Sequence, residues 1–154
     1  MAHIHKQTVI HAPFADVVSG AVNSHPEAWP QWYLGLSAPT KVTGDGEVGT
    51  VSEHEFLVAG RRFPITHEVV ESTNDGTTAH WKGKFTGSIE GWHRWTYHLV
   101  DGDTEVEVDH EYKLPAGPIG KLADIVFVER MIDRMLEQSL QNLKMLMEAP
   151  VGTA

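Results

Sequence analysis

Hydrophobic and polar residues alternate with a period of two through most of residues 39–114, and the period becomes helical after residue 119. In the first region, runs rich in Val, Thr, Phe, Trp and Tyr are separated by turn signals at 44–46, 59–60, 74–76 and 101–103. Turns this closely spaced indicate hairpins, and therefore an antiparallel meander. From 119 to 147 the apolar spacing predicts one amphipathic helix of about eight turns.

The N-terminal part of the chain predicts three shorter elements. Residues 5–12 read as a strand that ends at Pro13, since proline cannot donate to a strand ladder. Residues 14–22 predict a short helix, and residues 26–33 allow a second one interrupted by Pro30. The long C-terminal helix cannot bury its apolar stripe alone, so we expect it to pack against one face of the sheet.

Strand parity assigns the faces of the last hairpin. Four carboxylates (the acidic row: Glu105, Glu107, Asp109 and Glu111) alternate with Val106, Val108, His110 and Tyr112. Carboxylates would not be buried together, so the acidic row must face solvent. The preceding strand then turns Trp95, Tyr97 and Leu99 inward, and His93 with them. A tight turn at 101–102 places His93 opposite His110, and a slide of one residue makes the partner Tyr112.

The hairpin around residues 59–60 gives a second inward row. Phe63, Ile65, His67 and Val69 share one face, and a two-residue turn pairs them with Phe56, His54 and Ser52. Trp81 is expected inward on the next strand. The inward face therefore carries aromatic side chains and four histidines, whereas a packed core prefers Leu, Ile and Val. This composition predicts a cavity with room for a ligand or water.

Composition narrows the classes of function. The 154 residues are expected to form one domain over 1–149, followed by a flexible tail at 150–154. A formal net charge of −9 argues against nucleic acid. No apolar run is long enough for membrane insertion, and the N-terminus lacks the apolar region of a signal peptide. The chain has no cysteine, which fits a cytoplasmic protein and excludes disulfides and thiolate catalysis.

Three stretches resemble the START-like SRPBCC superfamily, in particular its polyketide cyclase/dehydrase and lipid-transport group. Residues 9–18 (VIHAPFADVV) resemble the opening strand-to-helix step of that group. Residues 27–32 (EAWPQW) resemble its second short helix. Residues 114–122 (LPAGPIGKL), continuing to QNLK at 141–144, resemble the start and the end of its C-terminal helix.

The resemblance implies the α+β helix-grip fold: a curved antiparallel sheet of about seven strands around a long C-terminal helix, with two short helices after the first strand. It also implies a cavity between sheet and helix. Members of the family bind hydrophobic or aromatic small molecules, and some cyclise, aromatise or dehydrate polyketides. The motifs are structural and map no fixed catalytic set onto this chain, so the site has to be argued from its residues.

Two functions follow for the inward face. The first is binding of a hydrophobic, aromatic or polyketide-like small molecule, without chemistry. The second is a cyclase, aromatase or dehydratase in which cavity His and Tyr act as general acid and base. The candidate catalytic residues are His110, His93 and Tyr112. The candidate ligand-binding residues are His54, Phe56, Phe63, His67, Trp81, Trp95, Tyr97, Val108, Ile132 and Leu136. Binding is expected to weaken below about pH 6, where free histidines become charged.

Other polar residues have ordinary explanations. His54 and His67 are too few for a stable zinc site, so we expect no metal and no cofactor. Arg62 and Arg94 have outward parity. Glu129 is expected on the flank of the helix stripe, where it is either solvated or faces the cavity mouth as an acid or base. Ser139 lies at the centre of that stripe and is expected to bond back to the helix. A partner protein on the acidic row and a homodimer are further associations that the sequence leaves open.

Overall fold

The computed structural model describes residues 1–114 and 122–149. Its elements are strands β1 (Ala2–Ile10), β2 (Lys41–Thr43), β3 (Val51–Val58), β4 (Arg61–Asn74), β5 (Thr78–Gly87), β6 (Glu90–Val100) and β7 (Asp103–Lys113), helices α1 (Phe14–Gly20) and α2 (Leu122–Glu148), and the 3-10 helix Pro26–Gln31. The strands form one antiparallel sheet in the order β1-β7-β6-β5-β4-β3-β2. This is the α+β helix-grip arrangement predicted from the sequence.

Two tight turns fix the register on which the site depends. At the β3–β4 turn, Ala59 and Gly60 have φ of 52° and 76°, and at the β6–β7 turn Asp101 and Gly102 have 49° and 84°. Two successive residues with positive φ twist with the flanking strands, as type I′ hairpins require. The β6–β7 turn pairs His93 with His110, which is the first of the two predicted registers.

The inward face follows the predicted parity along most of each strand. The four inward histidines are buried, as are Trp81, Trp95, Tyr97 and Tyr112. Leu99 is an exception: it was predicted inward but is 43% exposed. It pairs with Thr104 one step before the β6–β7 turn, so it lies at the end of the hairpin. On the opposite face, Asp109 of the acidic row contacts His5 at 2.8 Å.

Helix α2 covers the concave face with its apolar stripe. Its buried residues are Val128, Ile132, Met135, Leu136, Ser139, Leu140 and Leu143. Lys6 of β1 joins the helix flank to the sheet, since its Nζ lies 2.9 Å from both Asp133 Oδ1 and Glu137 Oε2. No helix in the described ranges is long and apolar enough to cross a membrane.

Several element boundaries differ from the sequence predictions. β1 begins at Ala2 and ends at Ile10. It ends there because a backbone hydrogen bond from Ala12 N to Ile10 O turns the chain. α1 ends at Gly20, two residues early. The second short helix is 3-10, with Pro30 inside it where a backbone donor is missing. The predicted helix start at Ile119, the breaker at 115–118 and the predicted tail at 150–154 lie outside the described residues.

Candidate functional site

A cavity of about 50 Å³ lies between the concave face of the sheet and α2. It is lined by strands β3 to β7, the β5–β6 turn, the 3-10 helix with its flanking loops, and one residue of α2. No Asp, Glu, Lys or Arg belongs to this lining among the described residues. The lining residues are Val22, Trp29, Tyr33, Leu36, His54, Phe56, Ile65, His67, Phe85, Ile89, His93, His110, Tyr112 and Ile132.

Seven of the thirteen candidate residues come together in this lining: His54, Phe56, His67, His93, His110, Tyr112 and Ile132. The other six, Phe63, Trp81, Trp95, Tyr97, Val108 and Leu136, are buried but do not line it. Strand parity, or for Leu136 the helical spacing, gave them a buried face, but a buried face is not the same as a position in the lining. Trp81, for example, stacks on His67 with ring centroids 5.6 Å apart, and Trp95 packs on Trp32 at 5.4 Å.

Seven further lining residues were not among the candidates. Ile65 was already on the inward row with His67, and Phe85 shares the parity of Trp81, so alternation could have found it as well. Trp29 lies in the 3-10 helix and Tyr33 just after it, in a segment too short and irregular for periodicity to assign a face. Val22, Leu36 and Ile89 lie outside the strands and helices, where no periodicity signals orientation.

Trp29 connects the 3-10 helix to the histidines. Its Nε1 donates to the carbonyl oxygens of Val22 and Ser24, each at 3.2 Å. Its ring stacks on His54 at 5.7 Å and meets His67 edge-on at 4.9 Å. The residue therefore forms a fixed wall of the cavity.

His93 is held at both ring nitrogens. Trp95 Nε1 donates to His93 Nδ1 at 3.0 Å, and His93 Nε2 lies 2.8 Å from His67 Nε2. A ligand cannot use either nitrogen of His93 without breaking a hydrogen bond.

Gly83 of β5 makes room for this histidine pair. A Cβ at residue 83 would lie 2.6 Å from His67 Cε1 and 2.8 Å from His93 Nε2, and closer still to His67 Nε2. Any other residue at this position would push the two rings apart.

His54 is also fixed by two partners. Its Nδ1 lies 3.0 Å from Ser37 O and its Nε2 lies 2.8 Å from Ser52 Oγ. Because a carbonyl can only accept, the proton of the neutral ring is on Nδ1 and Ser52 donates to Nε2. His54 thus contributes an apolar ring face to the lining.

His110 and Tyr112 are neighbours on β7 with unused polar atoms. Their ring centroids are 5.3 Å apart. His110 Nδ1 and the Tyr112 hydroxyl are buried and make no hydrogen bond to any residue described in the structure, and the same holds for His67 Nδ1. Buried polar groups of this kind normally have partners. Three lining residues thus each carry a buried polar atom that has no hydrogen-bond partner among the described residues.

Burial keeps the imidazoles of the site neutral. It lowers the pKa of His67 to about 3, with a further contribution from His54, and the pKa of His110 to about 4. The pKa of His93 falls well below the ordinary value through burial and then through His67 and His110. Burial also lowers the pKa of His54, against the bond to the Ser37 carbonyl. The pH window predicted from free histidines therefore moves to more acid values.

The loop at residues 33–37 closes one side of the cavity. Leu34 N donates to Ser139 Oγ at 2.8 Å, and the Gly35 carbonyl accepts from Leu57 N at 2.8 Å. Ser139 Oγ also donates to Met135 O at 2.7 Å, which confirms its expected bond to the helix backbone. Ligand pockets usually measure about 300–1,000 Å³, so a larger guest requires the wall of this cavity to move.

The charged residues considered from the sequence lie outside the lining. Arg62 is exposed and lies 3.9 Å from Glu55, and Arg94 lies 3.5 Å from Glu71. Glu129 is half-buried on the flank of α2.

Comparison with known proteins shows which family the chain matches. A family model described as polyketide cyclase / dehydrase and lipid transport matches residues 1–148. No curated protein matches the chain. An aromatase/cyclase from Streptomyces sp. R1128 has a similar structure, with 16% identity, a TM-score of 0.75, and coverage of 99% of this chain and 96% of that one.

Two further structures share the fold. A START superfamily protein from Mycobacterium smegmatis is 18% identical, with a TM-score of 0.67 over 95% of this chain and 97% of that one. Norcoclaurine synthase from Thalictrum flavum, solved with dopamine and hydroxybenzaldehyde, is 18% identical, with a TM-score of 0.62 over 94% and 85%. At these identities the likeness concerns the fold alone.

Proposed function

The chain belongs to the polyketide cyclase/dehydrase and lipid-transport family, and on that premise we propose that it binds a hydrophobic small molecule, aromatic or polyketide-like, between the sheet and α2. One observation carries the proposal: within the described residues, a lining without Asp, Glu, Lys or Arg combines aromatic rings with three buried polar atoms that have no hydrogen-bond partner. An apolar lining with a few placed polar groups is typical of small-molecule sites.

The lining favours a flat aromatic guest. Trp29, Phe56, Phe85 and the histidine rings offer faces and edges to the cavity, and aromatic pairs gain about 0.5–1.5 kcal/mol beyond their buried area. A guest larger than the present cavity would displace the 33–37 loop.

Native mass spectrometry of the freshly purified protein, repeated after denaturation, tests whether a molecule is carried. The protein should show an added mass that is lost on denaturation. A protein without a guest is then titrated with a neutral aromatic probe such as acetophenone. Ile132→Phe, which fills the cavity, should weaken binding, whereas Met145→Phe on the exposed side of α2 should not. Equal binding by the two variants would contradict the site.

A second candidate function is the dehydration of a cyclised polyketide. It is favoured by the position of His110 beside Tyr112, both in the lining and both with an unused polar atom. His110 would remove the proton from the carbon next to a ketone while Tyr112 protonates the β-hydroxyl, which leaves as water as the double bond forms. The imidazolium then returns its proton to the tyrosinate. His93, with both nitrogens bonded, would position these groups.

A turnover assay separates binding from dehydration. A β-hydroxy ketone that binds is incubated with the native protein, His110→Gln and Tyr112→Phe, and the rate at which it loses water is measured for each. Loss of a general acid or base lowers the rate roughly 10²–10⁴-fold. If His110→Gln retains both binding and rate, or if the bound compound is returned unchanged by the native protein, the binding function stands alone.

A further inference from the structure

The hydrogen bonds around His93 determine which nitrogen of His67 carries a proton. An indole N–H can only donate, so His93 Nδ1, which receives the bond from Trp95, has no proton. In a neutral imidazole the proton is then on the other nitrogen. His93 Nε2 therefore donates to His67 Nε2 at 2.8 Å.

The same reasoning continues into His67. Its Nε2 accepts from His93, so its own proton must be on Nδ1. His67 Nδ1 is buried and has no partner among the described residues. The chain Trp95–His93–His67 (the histidine relay) thus ends in a single N–H donor on a residue that lines the cavity. An unsatisfied buried donor of this kind is costly, and an acceptor would relieve that cost.

The surroundings of the cavity disfavour a negative charge on that acceptor. The lining has no Lys or Arg among the described residues, so a carboxylate would lose its hydration without gaining a counter-ion. Glu129 and Asp133 of α2 also act electrostatically on Tyr112, at one side of the cavity. Their negative charge opposes a second one nearby.

We propose that the ligand is an uncharged molecule that presents a hydrogen-bond-accepting oxygen, of the ketone class, to His67 Nδ1, and that the histidine relay fixes this preference. The inference rests on the proposed function, because it names the ligand class of the same cavity. Three probes of nearly equal shape test it: acetophenone, α-methylstyrene, in which a CH₂ group replaces the ketone oxygen, and benzoate.

Affinities are measured by NMR titration of protein labelled with ¹⁵N-histidine. Acetophenone should bind roughly three- to tenfold more tightly than α-methylstyrene, the usual range for one added neutral hydrogen bond, and benzoate should bind least. Equal affinity for the ketone and the hydrocarbon overturns the inference and leaves the proposed function intact; a water molecule already bonded to His67 would give this result. Tighter binding of benzoate also overturns it. Binding of none of the three removes the proposed function and the inference with it.

The proton positions are tested separately in the same sample. Long-range ¹H–¹⁵N correlation of the free protein should show the Nδ1–H tautomer at His67 and the Nε2–H tautomer at His93. The opposite tautomer at His67 overturns the inference whatever the affinities are.

Two tryptophan variants test the relay. Trp95→Phe removes the donor to His93, so the preference for the ketone should disappear while binding of α-methylstyrene remains. Trp32→Phe is the matched control, because Trp32 is buried against Trp95 but its Nε1 makes no hydrogen bond within the described residues. It should retain the preference. A Trp95→Phe protein that still prefers the ketone overturns the relay. If this variant does not fold, the tautomers measured in the native protein are the test of the relay.

Discussion

Acidification from pH 8 to pH 5 should lower the free energy of unfolding, because two cavity histidines, His67 and His110, are held neutral in the native state. Their native pKa values are about 3 for His67 and about 4 for His110, against about 6.5 in the unfolded chain. The unfolded state therefore binds more protons, and stability falls as pH falls below about 6.5. At 1.36 kcal/mol per pKa unit, the 1.5 units between 6.5 and 5 give about 2 kcal/mol for each histidine.

This value does not depend on how far the native pKa lies below 5, because at pH 5 the native imidazole is already neutral. His67 is faced by His54 and His93, and His110 by His93 and Tyr112. None of these neighbours supplies a negative charge that would hold a proton on either ring. For His67 and His110 together, the expected loss is about 4 kcal/mol, a large share of the roughly 5–15 kcal/mol that stabilises a domain.

Urea unfolding at pH 8 and pH 5 measures the loss of stability, and variants show which histidine causes it. His110→Gln should be less stable than the native protein at pH 8 but should lose about 2 kcal/mol less on acidification, since one titrating group is gone. Tyr112→Phe changes the adjacent side chain but removes no group that titrates in this interval, because burial raises the pKa of Tyr112. It should show the native pH dependence. The same loss in His110→Gln as in the native protein would refute the assignment of a neutral, buried His110.

Three further outcomes follow from the site. Gly83→Ala should destabilise the protein by about 1–3 kcal/mol in urea unfolding, because the added Cβ would overlap the histidine pair. Gly20→Ala is the control, since its Cβ meets only the flexible end of Met147. An equal loss of stability in the two variants would contradict the close approach of the histidines to Gly83. Ser139→Ala should cost about 1–2 kcal/mol because it leaves Leu34 N without its acceptor, and faster amide exchange in the 33–37 loop should accompany it. Affinity for acetophenone should stay constant from pH 8 to pH 5 and fall only towards pH 4, as the cavity imidazoles become charged; a decrease already at pH 6 would contradict their burial.

The hairpins of the sheet and its inward face could be predicted because short-range rules decide them, whereas the sheet as a whole was implied by the family resemblance. Asp101-Gly102 and Ala59-Gly60 set their hairpins through positive φ, and the alternating acidic row then fixes which side of β7 faces in. The same rules fail at the ends of strands. Leu99 has the inward parity but lies beside a turn, and parity says nothing about how far the covering layer extends.

The lining of the cavity could be predicted only in part, because alternation gives the side of the sheet and not the depth. Trp81 and His67 both face inward, but His67 lines the cavity whereas Trp81 stacks on His67 and does not line it. That order depends on the curvature of the sheet, on the bulge between Val69 and Glu71 and on the missing side chain of Gly83. None of these is encoded in a local pattern of apolar and polar residues.

The neutral histidines link the stability of the fold to the chemistry of its cavity. Lysine or arginine would supply a stronger donor, but a charge without a partner is costly in an apolar lining. A neutral imidazole avoids that cost at pH 7, although its proton can occupy either nitrogen. Trp95 removes this ambiguity for His93, and His93 removes it for His67. The acid sensitivity predicted above is the consequence of using uncharged imidazoles as donors, so the proposed ligand preference and the loss of stability at low pH have one structural origin.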